Sequence, residues 1–175
     1  MPSPDVQANA LGGSIDGMLA EYAVLEEEGV VRIPAHLLIE EGATLPCAAV
    51  TAWHALVEHG NVIAGRTVLL QGTGGVSIFG LQLAHAMGVQ VIITSSSDEK
   101  LARAKKLGDN YGINCKSTPD WEKAATDFTD GRGVDQVIEV GGAGTLIRSF
   151  GAIRVGGKIS LIGGLSGPAT ELNRG

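Results

Sequence analysis

Aromatic side chains make up only 4% of the chain, too few for the stacking platforms that hold single-stranded nucleic acids. Lys and Arg number 13 against 19 Asp and Glu, a net charge of −6, and they nowhere form a run. A surface that follows a phosphate backbone needs the opposite balance, so the composition argues against a nucleic-acid partner. No uninterrupted apolar stretch approaches the roughly 20 residues that cross a bilayer, so no membrane partner is expected. Cysteine is nearly absent. Cys47 and Cys115 have no paired spacing, which gives no sign of a disulfide framework. Met1 to Ala10 lacks the basic start and apolar stretch of a secretory signal, so the expected compartment is reducing and cytoplasmic. No solenoid-type repeat is present.

What the chain has in plenty is glycine, at 26 of 175 residues. Many glycines fall where an apolar strand pattern gives way to a helical one. The clearest case is residues 66–87. Thr67 to Leu70 is β-branched and apolar, the pattern of a buried parallel strand. Gly72, Gly74 and Gly75 follow, and then a helical spacing of Val76, Phe79, Leu83 and Met87 stopped by Gly88. Strand, glycine turn and helix N-terminus together bind a pyrophosphate: the glycines admit close approach, and the helix end offers free N–H groups and the positive end of its dipole. The third place of G-x-G-x-x-G is Ser77 rather than glycine, a small residue where close helix–strand packing is wanted.

Four more strand patterns follow: Val89–Thr94, Tyr111–Cys115, Val134–Val140 and Lys158–Ile162. Ser97 is a helix cap for a segment from Asp98 to Leu107 that ends at Gly108. Helical patterns at 119–129 and 142–154 separate the later strands. This alternation predicts an α/β fold, a doubly wound parallel Rossmann sheet with right-handed crossovers. The segment 16–33 differs. Met18, Ala20, Tyr22 and Val24 alternate with their neighbours, and Val30–Ile33 precedes Pro34; both read as strands outside the parallel sheet. Residues 35–41 read as a short helix and 43–58 as a longer one stopped by Gly60. On it Trp53 reads as core, and His54 and His59 as surface.

Several stretches in order resemble one superfamily: Asp16–Tyr22, Arg32-Ile33-Pro34, Ala43–Trp53, Gln71–Ser77, Ser95–Lys100, Val134-Asp135 and Glu139–Gly142. Together they resemble the medium-chain dehydrogenase/reductases, with the zinc-type alcohol dehydrogenase-like and quinone-reductase-like members nearest. The resemblance implies a flexible lead at 1–10, the end of a GroES-like β domain at 11–42, a dinucleotide-binding domain at 43–165 lacking its sixth strand, and a tail at 166–175. It further implies that the chain is mainly the cofactor domain of a larger enzyme, and that strand five is an exposed edge through which copies self-associate or which leaves the chain poorly soluble.

In NAD-binding folds an acid at the end of strand two, roughly 20 residues past the first glycine, takes the ribose hydroxyls. Here Ser95, Ser96 and Ser97 stand there, with Lys100 one helical turn on. Hydroxyls and an ammonium accept a 2′-phosphate where a carboxylate would repel it. NADP is therefore the expected cofactor, with NAD the alternative. Asp98 is the competing acid, and its other reading is a first-turn residue that complements the helix dipole. The pyrophosphate would lie on Gly72, Thr73, Gly74 and Gly75. The resemblance adds Thr51 and Val76 beside the nicotinamide, Asn114 near the adenosine, and Gly141 and Gly163 at the carboxyl ends of strands four and five. Where quinone-reductase-like relatives carry a tyrosine, this chain has Cys115. Cys47 matches the third catalytic zinc ligand of zinc-bearing relatives, but no companion ligands accompany it, so no zinc is expected and Cys47 reads as a small buried residue.

The implied function is hydride transfer between a nicotinamide and a small-molecule carbonyl, alcohol or quinone. The catalytic residues are not assigned. The alternative is a dinucleotide-binding module without catalysis. A methyltransferase on a similar sheet usually has an acid before the glycine turn, and Gln71 stands there. A short-chain dehydrogenase is poorly supported too, since neither Tyr22 nor Tyr111 is followed by a lysine four residues on.

Overall fold

The computed structural model describes residues 10–167; all but Ala10 of the expected lead at 1–10, and all but Ser166 and Gly167 of the expected tail at 166–175, lie outside the described residues. The chain divides into two units, Met1–Leu37 and Leu38–Gly175.

The second unit is built on five parallel strands: β1 (Thr67–Leu70), β2 (Gln90–Ser95), β3 (Tyr111–Asn114), β4 (Val134–Glu139) and β5 (Ile153–Leu161). Their order is β3-β2-β1-β4-β5, all pairings parallel. The expected Rossmann order is thus present, and it reverses beside β1. Strands buried on both faces send alternate residues to opposite cores. Val68, Leu70, Val91 and Ile93 pack on one side with Leu56, Leu81 and Ala84. Leu69, Ile92, Ile113 and Val137 pack on the other with Trp121, Ala125 and Ala152.

The flanking helices begin at α1 (Ile39–Gly42). Next comes α2 (Val50–Trp53), bracketed by π-helical turns Leu45–Ala49 and His54–His59. The expected stop at Gly60 has a packing cause. Its φ is −70°, but a Cβ there would lie 2.4 Å from Gln136 Oε1 and 2.5 Å from two helix carbonyls. Trp53 is not core; it is 46% exposed. Cys47 is exposed rather than buried. His54 and His59 are exposed, as expected, and stack on each other at 6.4 Å.

Helix α3 (Gly75–Ala86) packs over β1. The close contact that the motif's third glycine normally supplies comes one turn later, at Gly80, where a Cβ would meet Leu70 Cδ2 at 3.2 Å. Ser77 is tolerated because its hydroxyl donates to the Gln71 carbonyl at 2.7 Å. Helix α4 (Asp98–Lys106) starts at the Ser97 cap, whose hydroxyl accepts from Lys100 N–H at 3.4 Å. Acids in its first turn and bases in its last suit the dipole. Helices α5 (Trp121–Phe128) and α6 (Leu146–Ala152) complete the second layer.

β5 begins at Ile153, earlier than the expected Lys158. The residues between the two, including Gly156-Gly157, form a bulge. The register jumps between Val134↔Ile153 and Gln136↔Lys158, and Gly156 takes φ +73°, which a side chain would resist. From this bulge Arg154 Nε donates to Asp135 at 2.7 Å. Asp135 also accepts from Arg66, from both Arg132 terminal nitrogens and from Thr67 N–H.

In the first unit, residues 10–37 are described. The two strands expected in 16–33 are not there: the segment holds a 3₁₀ turn at Glu27–Gly29, and an isolated bridge joins Leu11 and Ile15. Alternation marks a strand only where another strand pairs its backbone and a core takes one face. Neither condition holds, and Leu19 and Val24 are fully exposed.

Candidate functional site

The loops after β1, β2 and β4 enclose a cleft of about 380 Å³ at the carboxyl edge of the sheet. This is the switch point where open α/β sheets take ligands. Its floor is the glycine turn. Gly72 holds φ +72°, and its N–H donates to Thr94 Oγ1 at 3.1 Å. A Cβ on Gly72 or Gly74 would meet nothing within 4 Å, so both glycines face open space. No side chain caps α3, which leaves its first N–H groups available to an anion.

One wall is the end of β2. Thr73 and Ser95 hydroxyls lie 3.2 Å apart, and Ser95 Oγ also accepts from Ser97 N–H. Ser95, Ser96 and Lys100 line the cleft. Lys100 is the only formally charged group on its lining among the described residues. Asp98 is turned elsewhere: its Oδ1 accepts from Asn114 Nδ2 at 2.7 Å.

The opposite wall is the loop after β4, with Val140, Gly141 and Thr145. Cys115, at the place of the relatives' tyrosine, also lines the cleft; so do Gln71, Trp121 and Leu165, which sequence reasoning does not assign to the site. Trp121 carries a weak signal, since Pro119-Asp120 announces a helix start but not its direction. Of the expected site residues, Gly72, Thr73, Gly74, Ser95, Ser96, Lys100 and Gly141 line the cleft. The others do not. Thr51 is half-buried on α2. Gly75 opens α3 against Ala48, and Val76 packs on the core. Ser97 caps α4, Asn114 holds Asp98, and Gly163 lies under the Val140 carbonyl.

Residues 75–174 match the family model described as zinc-binding dehydrogenase. The chain belongs to the zinc-binding dehydrogenase family. Its members of this type are alcohol dehydrogenase-like oxidoreductases with a dinucleotide-binding domain. The chain is 49% identical to a zinc-type alcohol dehydrogenase-like protein of Schizosaccharomyces pombe, over 98% of this chain and 50% of that protein. Among solved structures, an NAD-dependent alcohol dehydrogenase superposes with a TM-score of 0.85 at 36% identity, covering 94% of this chain and 48% of that one. A mycobacterial protein solved with NADPH superposes at 0.75 and 30% identity, covering 81% and 44%. The chain thus spans about half the length of the relatives it matches.

The family's name implies zinc. Among the described residues no three His, Cys, Asp or Glu side chains converge on a position that could hold a metal. Cys47, whose place resembles that of a zinc ligand, belongs to no such group, so the described residues do not fit the ion. No helix of the described residues is long and apolar enough to cross a membrane.

Proposed function

We propose that the chain is the dinucleotide-binding domain of an NADP(H)-dependent oxidoreductase acting on a carbonyl, alcohol or quinone. The observation that carries the cofactor choice is the lining of the cleft at the end of β2: two serines and a lysine, with no carboxylate among the described residues. When bound, the nicotinamide supplies the hydride chemistry; the chain's own residues supply position. Gly72 and Gly74 leave room for a pyrophosphate, and the start of α3 offers it N–H donors. Lys100 and Ser96, which line the cleft, would take a 2′-phosphate, while Asp98 is held by the Asn114 amide. The free cysteines, Cys47 and Cys115, support a reducing, cytoplasmic setting.

Titration with both cofactors tests this. NADPH should bind roughly tenfold or more tightly than NADH, the scale of one charge-assisted contact. Ser95→Asp should reverse the order by setting a carboxylate against the phosphate. Equal affinities in the unaltered protein would overturn the choice of NADP. Oxidation of NADPH by an added quinone or aldehyde separates catalysis from binding alone.

The second part of the proposal is self-association through β5. Among the described residues this strand pairs only with β4, and Val155 and Leu161 stand 98% and 58% exposed. An unpaired apolar edge recruits another strand. Light scattering should give a mass above the monomer that falls on Leu161→Lys. A monodisperse monomer at all concentrations would sink the idea.

A further inference from the structure

Glu139 ends β4, is fully buried, and has no role in the cofactor reading. Its two oxygens take five donors. Oε1 accepts from Gly141 N–H at 2.8 Å, Gly142 N–H at 3.0 Å and the Thr145 hydroxyl at 2.6 Å. Oε2 accepts from Gln71 Nε2 at 2.7 Å and from the Ser149 hydroxyl. Gln71 follows β1 and immediately precedes Gly72. Its own amide oxygen accepts from Val140 and Gly141 N–H, both at 3.2 Å, and its Nε2 also donates to Ser149 Oγ at 2.8 Å.

The Gln71–Glu139 pair therefore ties the loop after β1 to the loop after β4. These loops form the floor and one wall of the cleft, where the strand order reverses. An apolar pair could hold two loops together without the desolvation cost of a buried carboxylate. It could not fix the directions of five separate donors. We propose that Glu139 is a positioning residue: through Gln71 it sets the glycine turn against Val140–Gly142 at the spacing a dinucleotide needs. This rests on the dinucleotide reading above.

The donor pattern makes the charge essential and the order of the two residues reversible. In Glu139→Gln, an NH₂ replaces one carboxylate oxygen, so Gln71 Nε2 and the Ser149 hydroxyl, or the three donors at Oε1, lose their acceptor. In Gln71→Glu, two carboxyl groups meet. In the double variant, Gln71→Glu with Glu139→Gln, the bond between the two side chains returns with its direction mirrored. The carboxylate, now at position 71, accepts from the position-139 amide, the Ser149 hydroxyl and the N–H groups of Val140 and Gly141. The amide oxygen, now at position 139, accepts from Gly141 N–H, Gly142 N–H and the Thr145 hydroxyl.

The four proteins are compared by NADPH titration and, without ligand, by hydrogen exchange at the Gly72 amide, whose own bond is to Thr94 rather than to either altered side chain. Each single variant should bind NADPH about tenfold more weakly, the worth of a hydrogen bond to a charged group, and exchange Gly72 faster. The double variant should return to within about threefold of the original on both counts, as a coupled pair does. A folded Glu139→Gln protein with unaltered affinity and exchange overturns the proposal. So does a double variant that regains neither, or that fails to fold. If the unaltered protein binds neither NADPH nor NADH, the dinucleotide reading fails. The Gly72 exchange then decides the positioning role alone, and an unchanged rate in Glu139→Gln rejects it.

Discussion

Gly74→Val should fold normally and lose dinucleotide binding by more than about 100-fold, close to 2.8 kcal/mol of binding free energy. The two halves of this result have separate causes. Gly74 sits at φ −81° and ψ −179°, extended backbone that valine prefers, so the substitution brings no strain. A Cβ there meets no atom within 4 Å, so the protein itself offers no clash. The branched side chain instead fills the space over the start of α3, where a pyrophosphate must come within hydrogen-bonding reach of the helix N–H groups. Circular dichroism and thermal unfolding should match the parent, while cofactor titration is flat. Gly72→Val is the contrasting case: at φ +72° it also strains the backbone and should lower stability. Parental affinity in Gly74→Val would mean that the turn is structural only.

Asp135→Asn should cost about 2 kcal/mol at neutral pH, a fall in Tm of roughly 4–8 °C for a chain of this size. Asp135 is 7% exposed, and its carboxylate gathers Arg66, Arg132, Arg154 and Thr67 N–H. The arginine side chains are 26–47% exposed, so water takes over part of each lost contact, and the expected cost stays below that of a fully buried network. Burial pushes the Asp135 carboxyl up, but the guanidiniums and the Thr67 amide outweigh it and hold it far below the usual carboxylate range. Because the folded state holds the proton less tightly than the unfolded chain, Asp135 stabilises the protein fully above about pH 4. That contribution is lost as pH falls further towards the folded value. The stability gap between parent and Asp135→Asn should accordingly close on acidification below about pH 4. A gap that is absent at neutral pH, or that stays constant on acidification to about pH 2, would show that the cluster contributes nothing through charge.

What the sequence determined by itself was the parallel sheet and the floor of its cleft. Thr67–Leu70, Gly72 and Gly74 could be read because a strand buried on both faces, a positive-φ turn and an uncapped helix start each demand particular residues within a few positions of one another. The Ser97 cap and the Gly108 stop were legible for the same reason. Local pattern failed where the outcome depended on a distant partner. The alternation in 16–33 resembles a strand, but only a neighbouring strand can make it one, and none lies beside it among the described residues. Strand five reads as starting at Lys158, yet its pairing with β4 starts at Ile153 and continues past a bulge, which sets Arg154 beside Asp135. Trp53 reads as core because it is large and apolar, yet packing leaves it exposed. Glu139 and Gln71 are 68 residues apart. Their pairing exists only because β1 and β4 lie side by side, where a buried carboxylate must find every donor that the fold brings within reach.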